Sequence, residues 1–178
     1  MKRLVLFGLA LFGLGTFLSA SPDESSPPIV FSYFTGNGAD GLHLAYSTDG
    51  HNFTALNNGK PLLAPAVGEQ QLMRDPSITQ GPDGRFHMVW TTGWEGKTLG
   101  YAHSRDLIHW SEQRALRPFP DSVDVHNCWA PEIFYDEATR QFIVVWASTI
   151  RGRFPETVGD GHDRLNHRQY AFTTTDFE

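Results

Sequence analysis

The 178-residue chain holds a single cysteine, Cys128, so neither an internal disulfide framework nor a Cys-rich zinc module is available to it. Charge is sparse as well. Asp, Glu, Lys and Arg make up 19% of the residues, 14 basic against 20 acidic, for a net charge of −6. That balance lacks the basic stripe of a general nucleic-acid binder. The chain is nonetheless too apolar (40%) and too aromatic (13%) for a disordered one. No stretch after residue 28 carries a helical period. Eight histidines occur without HExxH or any other metal spacing, so no metal and no other cofactor is expected. Length alone suggests one domain with a sizeable core.

The one long apolar run lies at the start, in MKRLVLFGLALFGLGTFLSA. Lys2 and Arg3 form a basic start, Leu4 to Leu18 the apolar stretch, and Ser19-Ala20 a small-residue cleavage site. The competing reading, a membrane anchor, needs ~20 apolar residues, and a buried helix would not need the basic start. Residues 1–20 therefore read as a secretory signal peptide, which predicts a secreted or periplasmic protein with no membrane association once it is removed. Without Lys2 and Arg3, the 14 basic residues become 12 against 20 acidic, a charge of −8. A lone thiol in an exported protein is expected to be buried. Residues 21–28, SPDESSPP, read as a short linker, and the fold is expected over 29–178.

Self-comparison is more informative. At a shift of 57, Tyr33 falls on Trp90, Gly36 on Gly93, Leu42 on Leu99, Ala45 on Ala102, Ser47 on Ser104, Asp49 on Asp106 and Phe53 on Trp110. A shift of 55 to 56 then places Pro76 on Pro131, Ile78 on Ile133, Phe86 on Phe142 and Trp90 on Trp146. The Ser/Thr-x-Asp turn returns as Thr174-Thr175-Asp176 after an insertion of about thirteen residues within the polar stretch from Arg151 to Arg168. Each unit reads as four short strands: RDPSI, RFHMVW with Phe86, Met88 and Trp90 on one face, LGYAHS, and a fourth around Trp110. Tandem four-stranded units with buried aromatics define an all-β fold, the β-propeller, in preference to a β-sandwich with coincidental matches. The first unit lacks its first strand and the third stops after its turn, so fewer than three blades are present, where closure takes typically four to eight. The chain is expected to be part of a longer one, an incomplete propeller that is catalytically incomplete and poorly stable alone.

Positions where the repeats disagree point to chemistry. The innermost strands begin Arg74-Asp75-Pro76-Ser77-Ile78 and Trp129-Ala130-Pro131-Glu132-Ile133. The shared Pro and Ile look structural. Asp75 becomes Ala130, so the turn can be built without the carboxylate, and an acid at a central funnel is a candidate for function; the plainer reading is a turn-forming Asp before Pro. Glu132 is a second acid near the funnel, placed by simple strand alternation on the face of Ala130. Trp129 and Trp94 could each present a flat ring to a sugar or could be core; Trp90, Trp110 and Trp146 recur in register and are expected in the core. His126 and Asn127, and His167 and Arg168, lie on loops where ligand contacts are plausible.

The segments FSYFTGNGADGLHLAYSTDGHNFTAL, LMRDPSITQGPDGRFHMVWTTGW, LGYAHSRDLIHWSEQRAL and WAPEIFYDE resemble glycoside hydrolase family 43, in particular its Bacteroides-type α-L-arabinofuranosidase branch, over about residues 30–178. The resemblance implies a five-bladed propeller, which at ~57 residues per blade needs roughly 285 residues. It implies an inverting glycosidase acting on arabinofuranosides, xylosides or galactosides through an Asp base, a Glu acid and a tuning Asp. Asp75 takes the base role, with Arg74, Trp94, Asn127, Trp129, Glu132 and His167 as candidate substrate contacts; the acid and tuning motifs are not in this sequence. In related invertase-like enzymes an RDP Asp instead stabilises the transition state. A non-catalytic sugar-binding propeller, which would keep the aromatics without a carboxylate trio, is the alternative from another class. The expected partner is a carbohydrate; oligomeric state is not legible.

Overall fold

The computed structural model describes residues 27–158 and 165–177. The expected signal peptide at 1–20 and most of the linker lie outside the described residues. Pro27 and Pro28 are exposed and precede the first strand. The described residues form three antiparallel sheets and, apart from three short 3-10 turns, no helix.

The first sheet pairs β1 (Ile29–Tyr33), β2 (His43–Ser47) and β3 (Thr54–Ala55) in that order. The second has four strands in chain order: β4 (Arg74–Gln80), β5 (Phe86–Thr91), β6 (Leu99–Ser104) and β7 (Arg114–Leu116). The third contains β8 (Trp129–Asp136), β9 (Gln141–Ser148) and β10 (Arg168–Thr174). The meanders are propeller blades, only one of them four-stranded, and the fold is the expected all-β, incomplete propeller.

Period-2 patterning in the second sheet explains why the sheets stack. Met88 and Trp90 face one way and, with Ala102, join Leu42, Leu44 and Met73 in a cluster against the first sheet. Val89, Leu99 and Tyr101 face the other way, against Ile133, Phe142, Val144 and Trp146 of the third. The middle sheet is thus buried on both faces, which a two-sheet sandwich would not require. Trp90 and Trp146 are core residues as expected, and Trp110 is half-buried against the cluster that contains Trp90. Cys128 is buried; desolvation pushes its thiol up to about 11, which makes it unreactive.

One strand is not where the sequence put it. Trp110 makes only an isolated bridge with Ser104, and the fourth strand begins later, at Arg114. The Ser104-x-Asp106 turn is the reason: Asp106 caps the amides of Ile108 and His109 at 2.9 and 2.8 Å, which folds the chain over before it can extend. Ser47 and Asp49 build the same turn, and Thr174 accepts the amides of Asp176 and Phe177 in the third copy. The insertion between β9 and β10 carries a 3-10 turn at Pro155–Thr157, and Asn166 donates back to the carbonyls of Arg153 and Phe154.

Candidate active site

The strands β4 and β8 begin with the same irregularity. Register slips between Arg74 and Ser77 on β4 and between Trp129 and Glu132 on β8. At each slip one residue turns left-handed: Asp75 with φ 50° and Ala130 with φ 47°. This is a β-bulge, which bends the strand and re-aims a side chain. An alanine gains nothing from a left-handed backbone, so the bulge belongs to the blade and not to the aspartate. The simple alternation expected between Ala130 and Glu132 is interrupted by the slip, although both residues still border the same groove.

That groove, about 460 Å³ in volume, lies where the three sheets converge. Phe31 to Phe34 line it from the first sheet, Asp75 to Ile78 from the second, and Ala130 to Glu132 from the third. Asp75 is half-buried and Glu132 exposed, and both belong to its wall. Two hydroxyls stitch the strands together beneath it. Ser77 Oγ donates to Glu132 Oε2 at 3.1 Å and accepts the amide of Ile133 at 3.2 Å. Thr91 Oγ1 donates to Asp75 Oδ2 at 3.0 Å and accepts the amide of Ala130 at 2.8 Å. Each carboxylate is therefore held by a hydroxyl that also satisfies an amide of the neighbouring sheet.

Beside Asp75 stands a run of flat groups. The Arg74 guanidinium lies over the Trp94 ring at 4.3 Å and over the Phe34 ring at 4.9 Å. Asn37 accepts from both Arg74 and the Trp94 indole through its side-chain oxygen. Gly38 lets that loop approach: at φ 83° a Cβ there would stand 2.7 Å from the Met73 carbonyl oxygen. Trp129 donates from its indole to the Trp94 carbonyl at 3.0 Å and meets the Trp94 ring edge-on at 5.7 Å. His167 covers the other side of Trp129 at 5.0 Å. Trp94 remains 46% exposed, so part of its ring is accessible from solvent.

The expected residues thus divide. Arg74, Trp94, Trp129 and His167 come together in one array, while Asp75 and Glu132 share the groove beside it. Asn127, expected as a substrate contact, is instead fully buried: its side chain caps the Thr149 amide at 3.0 Å and lies 3.5 Å from His167 Nδ1. Those bonds hold it behind the array, in contact with His167 rather than at the surface. His126 turns away to Arg151 at 2.6 Å, and Arg168 stacks on Phe154 at 4.9 Å. Ser77, Thr91 and Asn37 went unmarked as functional residues, since their partners lie tens of residues away. Among the described residues no group of three or more His, Cys, Asp or Glu could hold a metal ion.

The groove at the starts of β4 and β8 thus carries two carboxylates on its wall, beside an array of aromatic rings. Residues 27–178 match the glycosyl hydrolase 43-related family, described as "Probable glycosyl hydrolase domain". The chain belongs to that family. Among solved structures it is similar to an α-L-arabinofuranosidase from Clostridium thermocellum, with 15% identity and a TM-score of 0.53, covering 83% of this chain and 44% of that one. It is also similar to a glycosyl hydrolase from Bacteroides ovatus, with 19% identity and a TM-score of 0.51, covering 84% and 43%. The chain thus spans less than half the length of either. No curated protein matches it.

Proposed function

We propose that the complete protein is an exported glycoside hydrolase, of the Bacteroides-type arabinofuranosidase branch, that removes terminal α-L-arabinofuranosyl or β-xylosyl residues from plant-type polysaccharide or oligosaccharide with inversion. The observation that carries this reading is the contrast between Asp75 and Ala130: one bulge, repeated, has gained a carboxylate on the groove wall in one blade only. In an inverting site a base carboxylate activates water on one side of the glycosidic bond while an acid protonates the departing oxygen on the other. Asp75 is the base. Its side chain lines the groove, and Thr91 holds its Oδ2. Arg74, Trp94, Trp129 and Glu132 form the sugar-binding wall, with His167 behind Trp129 and Asn127 behind His167. The general acid and its tuning Asp come from blades beyond these three sheets, and residues 1–20 direct the protein to the periplasm or the exterior.

A panel of nitrophenyl glycosides, tested on the complete protein with the freed anomer followed by proton NMR, checks the reading. Cleavage of the α-L-arabinofuranoside or β-xyloside with inverted product is expected. Retained configuration would place Asp75 in an invertase-like role, and sugar binding without cleavage would make the propeller a binding module.

A further inference from the structure

Thr91 is a buried polar residue in direct hydrogen-bond contact with the proposed base. It ends β5, is 2% exposed, and sits opposite Arg74 in the β4–β5 register. Its hydroxyl lies 2.8 Å from the Ala130 amide and 3.0 Å from Asp75 Oδ2. The amide can only donate, so it takes a lone pair and leaves the hydroxyl proton uncommitted. An ionised carboxylate can only accept. The proton therefore goes to Asp75, and a charge-assisted bond of this kind fixes orientation more firmly than a neutral one. Among the described residues, Asp75 Oδ1 has no partner and stays available to a water in the groove.

The third sheet is an internal control. The pair Arg74–Thr91 on β4 and β5 corresponds in register to Trp129–Ala147 on β8 and β9. The bulge residue beside each pair, Asp75 or Ala130, has the same left-handed backbone. Where the acid is present the opposing residue carries a hydroxyl; where Ala130 replaces the acid, Ala147 replaces the hydroxyl. A threonine needed merely to shape the bulge would be needed in both blades. The hydroxyl accompanies the carboxylate.

We propose that Thr91 is a positioning residue for the Asp75 base: it anchors Oδ2, aims Oδ1 at the attacking water, and ties that aim to the first strand of the adjoining blade through the Ala130 amide. The inference rests on the reading of Asp75 as general base. During hydrolysis the water gives its proton to Oδ1 as its oxygen bonds the anomeric carbon, the glycosidic bond breaks, and the departing oxygen takes a proton from the general acid. Thr91 neither gains nor loses a proton.

Steady-state kinetics of T91A, T91V, T91S and D75N in the complete protein, on the aryl glycoside it cleaves best, test this. The strand position equivalent to Thr91 carries Ala147 in the third sheet, and thermal melting of each variant checks that it folds. T91A and T91V should lower kcat about 10- to 100-fold with KM held within about twofold, and T91S should recover most of the loss. T91A combined with D75N should be no slower than D75N alone, because the anchor has nothing left to aim. Wild-type kcat in T91A, a T91S as slow as T91A, or a further loss in the double variant would overturn the positioning role while leaving Asp75 as base. Wild-type turnover by D75N would instead remove the base assignment, and this inference with it.

Discussion

Asp75 and Ala130 occupy the same backbone conformation in successive blades, and what separates them is a carboxylate facing a groove. That difference was legible in the sequence, because the flanking Pro and Ile repeat while the acid does not. Its stereochemistry was not legible, since a left-handed bulge can be filled by Asp or Ala alike. Another single-residue constraint is steric. Gly100 pairs with Trp90 across β5 and β6, and a Cβ on Gly100 would stand 1.9 Å from the indole ring. Trp90 is completely buried and has nowhere to move. Gly100→Ala should therefore destabilise the fold by about 1–3 kcal/mol or more, read as a lowered denaturant midpoint with unchanged m-value. An unchanged midpoint would show that Trp90 does not lie across Gly100.

At the scale of elements, the repeated Ser/Thr-x-Asp turn links sequence to structure most directly. Asp49 and Asp106 each collect two backbone amides and a serine hydroxyl on one carboxylate oxygen. For Asp49 the Asn52 amide is the largest influence and for Asp106 the His109 side chain; both carboxyls are held well below the ordinary range. Unfolding returns them to about 3.9, so the unfolded chain takes up protons first as the pH falls. The stability these turns supply is full above that value and is lost as the pH drops through it towards the folded one. Asp106→Ala should lower the melting temperature at neutral pH, with the gap to wild type narrowing as the pH falls below about 4; a gap independent of pH would contradict the capping role. The same turn explains why the fourth strand was misplaced. Spacing revealed Trp110 as a repeated aromatic, but the residues after Asp106 are spent on the turn, and Trp110 anchors the core while pairing waits for Arg114. The bonds of Thr91 and Ser77 into the next blade were equally hidden, because hydroxyls 39 and 56 residues from the amides they accept leave no local pattern.

At the scale of the whole molecule, the blade repeat and all-β class were legible because a period of about 57 residues forces like residues into like environments. The candidate site was legible only at the strand starts. Its rim depends on loops, and the depth of Asn127 and the joining of Arg74 to Phe34 and Trp94 follow from packing between sheets. Function at this scale turns on whether the groove between the sheets performs chemistry or only holds a sugar. The aromatic array serves either purpose, whereas a base carboxylate serves only the first. The most direct measurement is the turnover of Asp75→Ala in the complete protein, on the nitrophenyl glycoside that the wild type cleaves, with folding checked by thermal melting. Loss of a general base should cut kcat by roughly 10²–10⁴-fold while the melting transition stays cooperative and close to that of the wild type. A folded Asp75→Ala variant that retains wild-type kcat would contradict the assignment of this groove as the catalytic centre.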